Sequence, residues 1–229
     1  YQTQFARLIV EDGRATAVAV ENKDGRTIYS GKVIIDCTGD ADVVVSAGLP
    51  TMLGRDGDHL CQAMTLMFTI GNVNFRQRTC DDLRVLIEDA LRDNDTVYRL
   101  PYTRPYIIQI PNSNTAVVQL THMRGYDPTS ARELGLAAIE GRRQAYEVCE
   151  FLRHNVARFS DIELLETAPL LGVRESRRII GEYTLTNEDL GAGLRHDDEI
   201  TTAAFGIDIH NPIDDSQQCY PVKRYGIPY

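Results

Sequence analysis

Residues 33–48, Val33-Ile34-Ile35-Asp36-Cys37-Thr38-Gly39-Asp40-Ala41-Asp42-Val43-Val44-Val45-Ser46-Ala47-Gly48, constrain the fold more than any other stretch. An apolar run breaks at Thr38-Gly39-Asp40 and passes directly into a short Val/Ala helix. A strand that ends in a glycine turn and feeds a helix gathers free backbone N–H groups at one point, which suits the phosphates or polyol of a dinucleotide. The plainer reading is a tight turn. Gly39 then supplies a backbone shape other residues resist, and Asp40 caps the helix.

The preceding residues give the turn its context. Phe5 to Val10 runs into Glu11-Asp12-Gly13, Ala15 to Glu21 into Asn22-Lys23-Asp24-Gly25, and Thr27 to Ile35 follows. Asp-Gly between alternating apolar runs is a strong hairpin signal. A three-stranded antiparallel meander is expected, its last strand delivering Thr38-Gly39-Asp40.

Further along, Met64 to Val73 reads as a strand. A helix follows from Thr79, with Thr79 as N-cap, Asp82 at the third helical position, and Leu83, Leu86, Ile87, Ala90 and Leu91 on one stripe. Tyr106 to Ile110 and Ala116 to Thr121 read as a strand pair around Pro111-Asn112-Ser113-Asn114. The longest helix begins at Thr129 or Ser130, where Ser130 and Glu133 have capping-box spacing. Its apolar stripe is Leu134, Ala138, Gly141, Ala145, Val148 and Leu152, small enough at its centre for a sheet to approach closely. Arg132, Glu140, Arg143, Glu147 and Arg153 form a solvated face. Ile162 to Ala168 and Leu170 to Tyr183 look extended, Thr186 to Asp189 caps a short helix stopped by Gly191 or Gly193, and Ile200 to Ile209 is a final apolar strand. The closing Tyr225-Gly226-Ile227-Pro228-Tyr229 carries no readable element.

Composition narrows the function. A net charge of −9 argues against nucleic acid, which needs a clustered Lys/Arg face. No stretch approaches the roughly 18 apolar residues of a membrane span. Cys37, Cys61, Cys80, Cys149 and Cys219 are scattered with no C-x-x-C pair, so neither a zinc site nor a disulfide framework is indicated; a reducing, cytoplasmic compartment fits. Asn94-Asp95-Thr96 is a chance-level glycosylation match. The chain opens at Tyr1 on strands already in progress, so it is expected to be an inner piece of a longer protein. A targeting signal would then precede Tyr1, and localisation is unknown. Apolar surface exposed by the missing flanks would invite self-association.

Three motifs carry candidate chemistry. Gly172 to Tyr183 holds Arg174, Arg177 and Arg178 in a mostly apolar extended segment, where each cation needs an anion. One reading pairs them internally with Glu175, Glu182 or the Asp197-Asp198-Glu199 cluster. The other turns Arg174 or Arg177 toward a bound cofactor or an acidic substrate, forking onto a carboxylate or stabilising negative charge as it grows. In Asp208-Ile209-His210 the carboxylate and imidazole share one strand face, a pair able to tune a proton donor or acceptor. A metal hydrolase built on that pair would need further ligands, and no histidine spacing supplies them. Gly191-Ala192-Gly193 lacks the strand, helix and third glycine of a dinucleotide fingerprint.

Asp36 to Asp42, the Gly172–Tyr183 segment with its capped Thr186–Asp189 helix, Gly206 to His210 and Tyr225 to Tyr229 together resemble, in order, the bacterial FAD-dependent oxidoreductases with a two-dinucleotide-binding fold. The resemblance implies an α+β chain with antiparallel or mixed sheet and packed helices. Residues 1–48 would be part of the FAD-binding domain (meander, turn, short helix), and residues 49–229 an inserted substrate domain. It implies FAD as cofactor of the full-length protein, contacted by Thr38, Gly39 and Asp40, with Arg174, Arg177 and His210 toward the flavin ring and a small-molecule substrate. The strand–G-x-G-x-x-G–helix of the family and its C-terminal FAD segment are not in these residues, so the 229-residue chain alone is expected to lack FAD and to be catalytically silent. The reading from another class is a non-catalytic ligand- or protein-binding module built on the arginine-rich strand.

Overall fold

The computed structural model describes residues 2–73, 80–93 and 100–229, without the side chains of residues 80–83, 91 and 93. In chain order the elements are β1 (Gln4–Glu11), β2 (Arg14–Asn22), β3 (Gly25–Ser30), α1 (Asp42–Ser46), β4 (Thr51–Leu53), β5 (Phe68–Gly71), α2 (Cys80–Asp93), β6 (Tyr106–Gln109), β7 (Ala116–Gln119), α3 (Ala131–Asn155), β8 (Glu163–Thr167), β9 (Arg177–Ile179), α4 (Asn187–Ala192), β10 (Glu199–Ala203), β11 (Ile207–His210), β12 (Gln217–Tyr220) and β13 (Tyr225–Pro228). Helices mixed with antiparallel sheets make this an α+β chain. It divides into two compact units: Tyr1–His59 with Ser176–Ile207 and Tyr220–Tyr229, and Leu60–Glu175 with Asp208–Cys219.

The first unit opens on the expected meander. β1, β2 and β3 pair antiparallel in that order, with Leu8 and Val20 buried on one face and Ala17 and Ala19 on the other. Its third strand is shorter than the apolar run suggested, because Val33 to Ile35 lie outside any strand, with Val33 73% and Ile35 74% exposed. β-propensity alone does not make a strand; a backbone partner does, and the described residues offer none there. The extended Leu170–Tyr183 segment likewise reduces to β9, which pairs antiparallel with β4. The expected single strand from Ile200 to Ile209 is two, β10 and β11. It breaks at Gly206, where an added Cβ would sit 2.8 Å from the Tyr220 carbonyl oxygen. Residues 225–228, which carried no readable element, form β13 and pair antiparallel with β10. Thr186 and Asp189 form a full capping box on α4, and Gly193 closes it in the left-handed conformation at φ 71°.

The second unit holds the larger core. A four-stranded antiparallel sheet in the order β6-β7-β5-β8 buries Phe68, Ile70, Ile107 and Val118 in one cluster with Ala145, Val148, Phe151 and Leu152 of α3 and Ile87 of α2. The Met64–Val73 run contributes only β5 as a strand, Met64 and Thr65 making isolated bridges to Met123 and Gly172. The cap expected at Thr79, the stripe position Leu91 and the Asn94 motif lie outside the described residues or side chains; Ile87 and Ala90 are buried as the stripe requires.

α3 begins where its cap places it, the Ser130 hydroxyl accepting from the Glu133 N–H. The reciprocal half of the box is diverted, since the Glu133 carboxylate accepts from the Asp127 N–H at 2.7 Å. The buried stripe is rotated slightly from expectation: Ala137 is fully buried where Ala138 is partly exposed, and Gln144 joins it. Gly141 is the point of close approach. A Cβ there would lie 3.0 Å from Leu66 Cβ and 3.2 Å from Met123 Cε. On the outer face Arg143 pairs with Glu140 and Glu147, as a solvated face of mixed charge should.

Gly141→Val should therefore overpack the helix–strand contact and destabilise the protein by about 1–3 kcal/mol, read as a lower urea midpoint at unchanged m-value.

Candidate functional site

In the first unit, Asp36 organises the Thr38-Gly39-Asp40 turn. Its Oδ1 accepts from the Thr38 N–H at 2.8 Å and the Thr38 hydroxyl at 2.7 Å, and its Oδ2 accepts from the Val44 N–H at 3.2 Å. Thr38 Oγ1 in turn accepts from the Asp42 N–H at 3.0 Å. Partial burial would raise the Asp36 pKa, but the hydrogen bonds from Thr38, Val44 and Val43 outweigh it and hold the carboxyl below its ordinary value. The expected capping role of Asp40 is thus taken by Asp36 and Thr38. The N-cap residue is Ala41, and it, not Gly39, adopts the left-handed backbone, at φ 54°. The Asp40 carboxylate instead accepts from the Ser176 hydroxyl. Arg177 donates from Nε to the Asp40 carbonyl at 2.8 Å and from Nη2 to Asp42 Oδ1 at 2.5 Å. Its partner is therefore none of Glu175, Glu182 or the Asp197 cluster.

In the second unit, a cavity of about 350 Å³ is lined by Tyr102, Arg104, Pro105, Tyr106, Gln119, Arg174, Asp208, His210 and Gln217. Strand geometry puts Asp208 and His210 on one face, with His210 Nε2 3.5 Å from Asp208 Oδ1. The same oxygen accepts from Gln217 Nε2 at 2.5 Å, and Gln217 Oε1 accepts from the Tyr102 hydroxyl at 2.8 Å. His210 is buried, and its Nδ1 meets no hydrogen-bond partner among the described residues. Burial lowers its pKa first and the Arg174 charge second, against the raising pull of Asp208, so the ring stays neutral at pH 7. Burial would raise the Asp208 pKa, yet Gln217, His210, Cys219 and Arg174 hold the carboxylate ionised below its ordinary value. Arg174 Nε is also buried and without a hydrogen-bond partner among the described residues.

Behind the cavity, Tyr102, His122 and His210 stack as a cluster, with ring centroids 4.0 Å apart for Tyr102–His122 and 5.1 Å for His122–His210. α3 holds this layer through Gln144, which accepts from the His122 N–H at 2.8 Å and donates to the His122 carbonyl at 3.2 Å. Arg124 is neutralised within the unit by Asp215 at 2.5 Å and caps the Pro101 carbonyl at 3.0 Å. Tyr102, His122, Arg124 and Gln217 carry no motif spacing in the sequence; the Asp208–His210 alternation and Arg174 of the arginine-rich segment pointed here.

The sequence-derived residues thus fall into two groups. Thr38, Gly39, Asp40 and Arg177 lie together in the first unit, and Arg174 and His210 together in the second. Among the described residues, no cluster of three or more His, Cys, Asp or Glu could hold a metal, and no helix is long and apolar enough to cross a membrane.

A family described as FAD dependent oxidoreductase matches residues 1–229, so the chain belongs to that family of flavoprotein oxidoreductases. Comparisons with curated proteins and with solved structures find no match. The chain's own residues fit part of the cofactor the family name implies. The amides of Thr38, Asp42 and Val44 are already spent on Asp36 and Thr38 and are not open to a phosphate. Gly39 is exposed and an added Cβ would meet nothing within 4 Å, which leaves room for an uncharged polyol or ring edge.

His122 gives a stability test. Burial first, then Arg124, His210 and Arg174, push its pKa from 6.5 down to about 3. The unfolded chain therefore binds a proton on this ring below pH 6.5 that the folded chain refuses until about pH 3. Stability should fall as pH falls through that window, by about 1.4 kcal/mol per pH unit from this one group. Denaturant titrations of His122→Asn should show a pH slope shallower by that amount.

Proposed function

We propose that the protein transfers a hydride between a small organic substrate and FAD, with the second-unit cavity as the substrate site. Family membership supports the flavin chemistry, and one observation carries the site: Arg174, Asp208 and His210 line a single cavity while two of their buried nitrogens lack partners. FAD, when bound, supplies the two-electron acceptor. The chain's residues position the substrate and handle its proton.

Asp208 fixes the His210 tautomer. With the Nε2 proton directed at Asp208, the lone pair on Nδ1 is the available base. Nδ1 takes the proton of the substrate's hydroxyl or amine as the hydrogen on the adjacent carbon leaves with its electron pair, and Asp208 stabilises the imidazolium that results. Arg174 orients the substrate in the same cavity. On the cofactor side, the backbone at Gly39 and the Thr38 and Asp40 positions flanking it contact the uncharged part of FAD. Arg177 acts there through Asp40 and Asp42, holding the turn rather than touching the reacting atoms. In this reading residues 1–48 belong to the cofactor-binding domain and residues 49–229 include an inserted substrate domain. The chain alone is inactive where the remaining FAD contacts lie outside it.

The test is anaerobic flavin reduction in the full-length protein, screened against small alcohols, amines and hydroxy acids. His210→Asn should slow reduction by about 10²–10⁴-fold with flavin retained. The wild-type rate should fall on the acid side, because protonation of His210 removes the base. That limb should lie below pH 6.5, since burial and Arg174 lower the His210 pKa, and it should vanish in the variant. A full-length protein that purifies without flavin would contradict the reading, as would an unchanged rate in His210→Asn.

A further inference from the structure

We infer that the substrate of this cavity is a small organic acid carrying one carboxylate, and that Arg174, assisted by Arg104, is the group that binds it. The inference rests on the oxidoreductase reading for the identity of the site, and adds to it the class of molecule the site accepts.

The cavity's charge balance is the first argument. Arg104 and Arg174 face one ionised carboxylate, Asp208, leaving one positive charge in the lining with His210 neutral. A singly charged anion cancels it. A dianion such as phosphate would add a second negative charge beside Asp208.

Hydrogen-bond accounting is the second. The lining's other polar groups are largely committed to each other: Tyr102 donates to Gln217, Gln217 donates to Asp208, and His210 Nε2 faces Asp208. Arg174 Nε is not committed, and it is buried. A guanidinium presents Nε and a neighbouring Nη as two parallel donors, the geometry that a carboxylate's two oxygens match side-on. Arg124 shows how this unit treats a guanidinium it does not need for a ligand: its Nε is likewise buried without a hydrogen-bond partner among the described residues, but its Nη2 is given Asp215 and a backbone carbonyl. No ion pair of that kind is present for Arg174 among the described residues; the carboxylate that acts on it, Asp208, is already engaged by Gln217. A neutral ligand would leave this desolvated cation uncompensated, which is costly in a partly enclosed site.

Size and backbone supply the third. About 350 Å³ admits a molecule of a few carbons. Arg174 is also delivered to the cavity by a constrained backbone. Gly172 exchanges two hydrogen bonds with Thr65, at 3.1 and 2.7 Å, and a Cβ on Gly172 would sit 2.8 Å from Thr65 Oγ1. A position held that tightly two residues before the guanidinium fixes its entry into the site.

Titration calorimetry on the full-length protein tests this with lactate and propionate as probes, lactamide and propionamide as their neutral counterparts, and inorganic phosphate, at a pH above its second pKa, as the dianion. The acids should bind and the amides and phosphate should not compete. Arg174→Gln should weaken acid binding by about 10- to 100-fold, with Arg174→Lys recovering part of it. Equal binding of acid and amide, or an unchanged affinity in Arg174→Gln at an unchanged melting temperature, overturns the inference. So does a variant whose flavin reduction potential shifts while acid affinity stays the same, because Arg174 would then serve the flavin. Acid binding that depends on Arg174 without any flavin reduction by hydroxy acids supports the carboxylate assignment and removes the redox reading. Conversely, flavin reduction by a neutral alcohol at the wild-type rate in Arg174→Gln keeps the redox reading and overturns the carboxylate.

Discussion

Gln62 ties the candidate site together. Its backbone N–H donates to Glu175 Oε2 at 3.1 Å, and its side-chain Oε1 accepts from the His210 N–H at 2.9 Å. One residue thus fastens both the segment that carries Arg174 and the strand that carries His210, which are far apart in sequence. Nearby, the Thr65–Gly172 bridge fixes the same segment two residues before Arg174. Bonds of this kind are worth more where water is excluded, and leaving them unmade is correspondingly expensive. The cavity's chemistry depends on these contacts, because they set how the Arg174 segment and the His210 strand lie against each other.

The arginines illustrate how one residue type is put to three uses. Arg177 holds the Thr38–Asp42 turn, bonding to the Asp40 backbone and the Asp42 carboxylate. Arg124 braces the Tyr102–His122–His210 layer and is neutralised by Asp215. Arg174 lines the cavity with no ion pair among the described residues. The turn shows the opposite economy: Asp36 fills with its own carboxylate the place where helix amides could meet an anion, and the short helix gains its cap from within the chain.

Local patterns carried much of the architecture. The Asp12-Gly13 and Asp24-Gly25 turns placed the meander, the Thr186–Asp189 box placed α4, and the small residues around Gly141 anticipated the contact with Leu66. What stayed hidden was set by partners distant in sequence. Val33 to Ile35 have the composition of a strand but no neighbour among the described residues, and Gly206 breaks an apolar run because Tyr220 crowds it. In the site, the Asp208–His210 alternation was legible because a strand repeats every two residues. Tyr102, His122 and Gln217 were not, since only tertiary folding brings them to that face. The partners of Arg177 were missed for the same reason: proximity in sequence suggested Glu175 or Glu182, and the fold supplied Asp42.

Arg174 and His210 line one cavity, and the guanidinium holds the imidazole pKa down. A histidine-selective NMR pH titration of His210, in the wild type and in Arg174→Gln, measures this coupling. The wild-type midpoint should lie below 6.5 and move upward when the guanidinium is removed. An identical midpoint in the two proteins would show that Arg174 and His210 do not share a site.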